Sequence, residues 1–182
     1  MTEIKGFHPV KLICGVIFSK EEHLQKAEDR LIDLYGLADS RSRHFDFDLT
    51  DYYDSQMGKN LKRTFLSFLD LIPPERLSEI KVRSNALEED IRREFRADIR
   101  IVNLDPGYIT QAALMMATAK DFSHRVPLAQ GIYAHLEFLF TKTGIRRLDW
   151  TYPDFLKEGY QTYFQGVRKT YLDQLRQGSR RP

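Results

Sequence analysis

An α+β fold with a largely antiparallel sheet is what three observations in this 182-residue sequence predict. Apolar runs of strand length alternate with amphipathic stretches of helix length. Their order is strand, helix, strand, strand, helix, strand, which is that of a ferredoxin-like (split β-α-β) core. Extra C-terminal strands and a C-terminal helix follow.

Residues 11–18 are apolar on both alternating faces, as a central strand is. Ser19 and Glu22 have capping-box spacing, Leu24, Ala27, Leu31, Leu34 and Tyr35 form a helical stripe, and Gly36 ends it. Phe45, Phe47 and Leu49 alternate with His44, Asp46 and Asp48, which predicts a strand over 44–49 with one buried face. After a turn-like stretch over 51–60, residues 61–71 predict another strand, with helix left open. Pro73-Pro74 enter a helix whose stripe is Leu77, Ile80, Ser84, Leu87, Ile91 and Phe95. Asn85 and Glu88 have the spacing of a second cap, so a break near Arg83 also stays open.

Residues 99–104 predict a strand closed by a turn at Asp105-Pro106-Gly107. The stretch 108–120 has helix-forming composition and the length of a strand, and strand is the expectation. Residues 132–140 alternate and turn at Lys142-Thr143-Gly144 into a hairpin with 145–148. After Trp150-Thr151-Tyr152-Pro153, a helix to about Arg176 buries Leu156, Tyr160, Phe164, Val167, Tyr171 and Leu175.

Hydrophobic residues make up 42% and charged residues 30%, a composition that folds, and the length suits one domain over 1–182 with 1–9 and 178–182 as frayed tails. Lysine and arginine number 28 against 26 acids, a formal charge of +2, so no global basic field points to nucleic acid. The single cysteine, Cys14, lies in an apolar run and reads as core. There is no signal-peptide pattern and no stretch of membrane-span length, so a cytoplasmic protein without a membrane partner is expected.

Several strings occur in order: Thr50-Asp51-Tyr52-Tyr53 with Met57-Gly58, Val102-Asn103-Leu104-Asp105-Pro106-Gly107-Tyr108, His124-Arg125, Gly131-Ile132-Tyr133-Ala134 and Trp150-Thr151-Tyr152-Pro153-Asp154. Together they resemble an uncharacterised bacterial group, domain-of-unknown-function family 4416, along nearly the full chain. The resemblance implies a single-domain bacterial cytoplasmic protein and brings no established reaction, cofactor or catalytic residue. Members are sometimes labelled GTP-binding, but a phosphate loop needs G-x-x-x-x-G-K-[ST]. Here Gly58-Lys59 is followed by Asn60 and lacks the upstream glycine, and no N-K-x-D string is present.

Asn103 and Asp105 stand where an apolar strand face turns polar, which suits a pocket mouth; the same residues also suit an Asx-type turn. Lys120, His124 and Arg125 form a donor group for phosphate or carboxylate, and Arg63 on a neighbouring strand can join it. Asp105 and His124 are the candidate acid–base pair. Asn103, Arg63, Lys120, Arg125, Tyr133 and Trp150 are candidate ligand contacts. Tyr133, His135 and Glu137 share a strand face, either as a second acid–base candidate or as exposed strand polarity. His44, Asp46 and Asp48 also share a face, but no spacing typical of metal sites supports them and no metal is expected. Tyr52, Tyr53, Trp150 and Tyr152 can stack a base or anchor a core.

These features predict binding of an anionic phosphate- or nucleotide-containing small molecule, with the cofactor unknown. The alternatives are an RNA-binding module, using sheet aromatics and the basic C-terminus with Arg168, Lys169, Arg176, Arg180 and Arg181, and a protein-interaction role.

Overall fold

The computed structural model describes residues 3–50 and 53–178. Tyr52, Arg180 and Arg181 lie outside these, as does most of the expected C-terminal tail. In chain order the elements are β1 (Val10–Phe18), α1 (Glu21–Tyr35), β2 (Ala38–Arg41), β3 (Phe45–Asp46), α2 (Asp54–Met57), β4 (Lys62–Ile72), α3 (Leu77–Glu94), β5 (Val102–Ile109), β6 (Ala113–Thr118), β7 (Val126–Pro127), β8 (Tyr133–Thr141), β9 (Gly144–Arg147) and α4 (Glu158–Gly178). The strands form one sheet in the order β2-β4-β1-β5-β6-β8-β7, with β3 added to β4 and β9 to β8. Every pairing is antiparallel.

The run that is apolar on both faces is the central strand, because both faces of the sheet are covered there. All of β1 is buried. Leu12, Cys14, Val16 and Phe18 pack against Leu24, Ala27 and Leu31 of α1 and Ile80, Leu87 and Ile91 of α3. Ile13 faces the other way, into Phe65, Phe138, Tyr160 and Phe164 beneath α4. The sheet aromatics on that side are therefore core.

Local chemistry misplaced several features. The Asp105-Pro106-Gly107 segment is not a turn but the middle of β5, paired residue by residue with β1 through Gly15, Cys14 and Ile13. Its glycine answers a close approach: a Cβ on Gly107 would lie 2.4 Å from the Met115 carbonyl oxygen of β6. The chain reverses later, where the Thr110 hydroxyl accepts hydrogen bonds from the N–H groups of Ala112 and Ala113. Ile99, expected in the strand, is exposed in the bend before it.

The first helix is capped by extended Lys20 with no side-chain cap bond, so the Ser19–Glu22 box does not form. Gly36 ends it with a positive φ of 84°. The α3 helix runs unbroken through Arg83, because the Ser84 hydroxyl donates to the Ile80 carbonyl within the helix and needs no other partner. Strand pairing over 44–49 is limited to Phe45–Asp46, and Leu49 is exposed. Strand is the outcome for most of 108–120, and the 142–144 hairpin forms between β8 and β9. No helix among the described residues is long and apolar enough to cross a membrane.

Replacing Gly107 by alanine is expected to destabilise the fold by about 1–3 kcal/mol through overpacking against backbone. Gly166, in mid-helix with open space around it, behaves oppositely. Alanine there is expected to stabilise by about 0.5–1 kcal/mol. Urea unfolding of the two variants checks both signs.

Candidate functional site

The site arises because β5 and β6 pair over only part of their length. Their ladder runs from Ile109 opposite Leu114 to Gly107 opposite Met116 and stops, next to Pro106, which has no N–H to donate. Beyond that point β6 stays with β8 while β5 stays with β1. A cavity of about 610 Å³ fills the fork, lined by Asn103 and Asp105 on one side and Ala117 to Lys120 on the other.

Opening a sheet exposes backbone groups that must find partners. At Leu104 the α3 helix supplies them: Lys81 Nζ donates to the carbonyl at 2.7 Å, and Glu88 Oε1 accepts from the N–H at 2.6 Å. Two side chains thus stand in for the absent strand. Glu88 also receives Arg100, which in turn donates to Asn103 Oδ1. Burial raises the Glu88 carboxyl above its ordinary range, with Arg100 and Lys81 opposing.

Arg63 on β4 is the central charge. One end of its guanidinium donates to Asp105 and the other to Asp154, while Phe47, Phe65 and Phe155 place their rings 5.2–5.3 Å from its central carbon. Gly15 leaves it room, since a Cβ there would come within 3.2 Å of Arg63 Nε. Burial pushes the Asp105 carboxyl up, but Arg63 and Lys81 overcome that and hold it below its ordinary range. Asp105 is therefore a fixed negative charge with little appetite for a proton near neutral pH.

The far wall comes from β8. Met115 pairs with Leu136 and Leu114 with Phe138, so Glu137 is the extra residue of a β-bulge. The bulge lets Glu137 face the cavity beside His135 while Phe138 and Phe140 still reach the core under α4. His135 is 1% and Glu137 0% exposed, so these are buried groups and not surface polarity. Glu137 Oε1 accepts the Tyr152 N–H at 2.7 Å. Oε2 lies 3.1 Å from His135 Nε2 in ion-pair reach, yet neither atom has an aligned hydrogen bond. Burial raises the Glu137 carboxyl, and His135 and the Tyr152 N–H oppose that rise.

The Trp150-Thr151-Tyr152-Pro153-Asp154 string docks on this strand. Trp150 Nε1 donates to the Leu136 carbonyl, Thr151 to the Glu137 carbonyl, and the following 3₁₀ turn, Pro153–Leu156, delivers Asp154 to Arg63.

Of the residues singled out in the sequence, Arg63, Asn103, Asp105 and Lys120 line one cavity, together with Tyr53, His135, Glu137 and Tyr152. His124, Arg125 and Trp150 stand outside it, behind His135. His124 Nε2 is 3.1 Å from His135 Nδ1 and its ring stacks on Trp150. Arg125 uses its donors on His135 Nδ1, the Lys120 carbonyl and the Tyr152 hydroxyl, so it clamps the wall and does not line the cavity. Tyr133 lies at the end of β8 opposite Thr118 and does not line the cavity. His44, Asp46 and Asp48 do not converge: His44 packs edge-on against Phe18 and Asp48 receives Lys157. No group of three or more metal-ligating side chains is found among the described residues. Sequence reading missed Lys81, Glu88 and Asp154. The first two carried a signal, polar residues spaced 81, 85, 88 beside the apolar stripe of α3, the pattern of a second buried helix face.

The fold and cleft define an α+β protein with one antiparallel sheet split around an internal charged pocket. The match of residues 8–171 to the model for a domain of unknown function, DUF4416, places the chain in that family. No curated protein and no solved structure matches it.

Replacing Arg63 by methionine strands two buried carboxylates and is expected to cost about 3–5 kcal/mol in urea unfolding. The carboxylates also set opposite pH trends. The depressed Asp105 contributes stability present above its unfolded value and lost as pH falls through the folded one. The raised Glu137 contributes stability present below its unfolded value and lost as pH rises through the folded one. Glu137→Gln keeps the acceptor for Tyr152, so its melting temperature should gain on the wild type as pH rises from 4 towards 7, and Asp105→Asn should lose less on acidification.

Proposed function

We propose that the cleft binds a small molecule with an anionic group, of phosphate or carboxylate type, joined to an apolar or aromatic portion. Nucleotides and sugar phosphates are the ligand class this favours. The observation that carries the reading is a cluster of buried polar atoms with no aligned hydrogen bond, two of which, His135 Nε2 and Glu137 Oε2, face each other at 3.1 Å. Of seven such side-chain atoms among the described residues, four belong to residues lining this cavity: Arg63 Nε, Asn103 Nδ2, His135 Nε2 and Glu137 Oε2. Native interiors keep few polar groups in that condition, and beside a cavity Arg63 Nε and Asn103 Nδ2 are placed to pair with a ligand. Asn103 Nδ2 is a donor for a ligand oxygen, while Phe47, Tyr53, Tyr152 and Phe155 offer ring surface. A volume of about 610 Å³ suits a metabolite.

The charges in the lining give this site a pH response. Arg63, Lys81, Arg100 and Lys120 balance Glu88, Asp105, Glu137 and Asp154 when all are ionised, four against four. Protonating either raised carboxyl, Glu88 or Glu137, leaves the cleft positive. Anion binding is then linked to proton uptake and tightens as pH falls. We also read the β2-β4-β1-β5 order, with α1 and α3 packed together on one face, as a ferredoxin-like core; the cleft lies where β6 leaves it.

The test is a melting-temperature screen with inorganic phosphate, nucleoside phosphates, sugar phosphates and dicarboxylates at pH 6 and pH 8. At a hundredfold excess over Kd the ligand stabilises by about 2.7 kcal/mol. The expected shift is larger at pH 6 and disappears in Asn103→Leu. A panel that moves the melting temperature at neither pH would falsify this reading.

A further inference from the structure

Three titratable groups run in a line from the wall of the cleft outwards, away from the cavity. Glu137 is fully buried, His135 nearly so, and His124 is half-buried under Trp150. The steps between them are 3.1 Å from Glu137 Oε2 to His135 Nε2 and 3.1 Å from His135 Nδ1 to His124 Nε2. We propose that Glu137, His135 and His124 form a proton path between the cleft and solvent, making Glu137 a renewable general acid–base group towards the bound molecule. This rests on reading the cleft as a small-molecule site.

The tautomers follow from Arg125. Its Nε–H can only donate, and it points at His135 Nδ1 from 3.4 Å. His135 Nδ1 is therefore an acceptor, which puts the His135 proton on Nε2, facing Glu137, and makes His124 Nε2–H the donor between the rings. The line is polarised along its whole length: Nε2–H of His124 to Nδ1 of His135, and Nε2–H of His135 to Glu137.

Inward transfer balances as follows. A proton from solvent binds His124 Nδ1, the His124 Nε2 proton passes to His135 Nδ1, and the His135 Nε2 proton passes to Glu137 Oε2. One proton has entered, one carboxylate has become a carboxylic acid, and both rings are neutral again with exchanged tautomers. Glu137 then gives its proton to an oxygen or carbon of the bound molecule. Its own reversal, from ligand to solvent, makes Glu137 a base. Arg125 opposes a proton on His135 Nδ1, and the outward transfer, from Glu137 to His135 Nε2, from His135 Nδ1 to His124 Nε2 and from His124 Nδ1 to solvent, returns both rings to the starting tautomers.

The surroundings fit transfer better than storage. Burial raises the Glu137 carboxyl above its ordinary range, and the negative charge of Asp154 adds to that rise. At the outer end burial, His135 and Arg125 all lower His124, so it does not hold a proton for long. A purely structural His–Glu pair would be aligned and closed. Here His135 Nε2 and Glu137 Oε2 are in reach but unaligned, so a small movement completes the path.

The path can be read without a ligand. In protein labelled with ¹⁵N-histidine, both rings are expected to carry the proton on Nε2; a proton on His135 Nδ1 at rest overturns the assignment. After a rapid pH jump, infrared spectroscopy follows the Glu137 carboxyl, identified by its loss in Glu137→Gln. Its protonation should be slowed about tenfold or more in His124→Ala and restored by imidazole in the buffer. A rate equal to wild type, or a slowed rate that imidazole does not restore, overturns the proposal. Should His124→Ala fail to fold, His124→Gln keeps a donor at the rim and is read by the same outcomes. Because no ligand enters, failure here leaves the anion site standing, and failure of the ligand screen leaves the path measurable.

Discussion

The site is organised by one buried cation. Arg63 is nearly inaccessible, and a guanidinium in that position must be paired or the fold does not tolerate it. Its two partners come from distant parts of the chain, Asp105 from β5 and Asp154 from the turn before α4. The requirement to neutralise Arg63 therefore holds three segments in register and brings the 150–154 string against β8. Three aromatic rings and a glycine on β1 shape the space around it. This is a constraint on where charges sit more than a source of stability, because removing them from water costs about as much as their attraction returns.

The second organising device is the way an antiparallel sheet opens without leaving its backbone unpaired. The Leu104 amide and carbonyl would ordinarily meet β6. Glu88 and Lys81 take its place, so β6 can diverge with β8 and leave a cavity inside the sheet layer. The bulge at Glu137 acts in a similar way on the other bank, turning one more polar side chain inward without breaking the apolar alternation of β8. Both devices put charged groups in a partly dry space, where burial and charge partners separate their proton affinities. Asp105 falls while Glu88 and Glu137 rise. Groups pulled in opposite directions within one cleft are what acid–base chemistry uses.

Much of the secondary structure was legible because it depends on hydrophobic period. The β1 run, the α1, α3 and α4 stripes and the β8–β9 hairpin follow patterns of buried side chains, except that Leu34 and Leu156, expected in the stripes, are exposed. Asn103, Asp105, Arg63 and Lys120, singled out because polar groups interrupt or border apolar strands, line one cavity. The Asp-Pro-Gly segment was misread, since its residues suit a turn and nothing local reveals that β6 passes close to Gly107. His124 and Arg125 were expected to converge with Lys120 on the Asn103–Asp105 cleft, and they buttress His135 from behind.

Sequence alone was enough for the longer elements, β1, α1, β4, α3, β8 and α4, for the interior position of β1 and for the polar character of β5, but not for β2, α2 and β7. Those follow from side-chain periodicity and composition, which are local quantities. Tertiary structure alone decided which polar residues are buried, that Lys81 and Glu88 replace a strand, and that Asp154 reaches Arg63 across 91 residues of chain. The reason is that burial, charge pairing and backbone satisfaction are balances struck between segments far apart in sequence. A period-2 pattern assigns His135 and Glu137 to a common face; only the packed sheet determines that this face looks into a cleft.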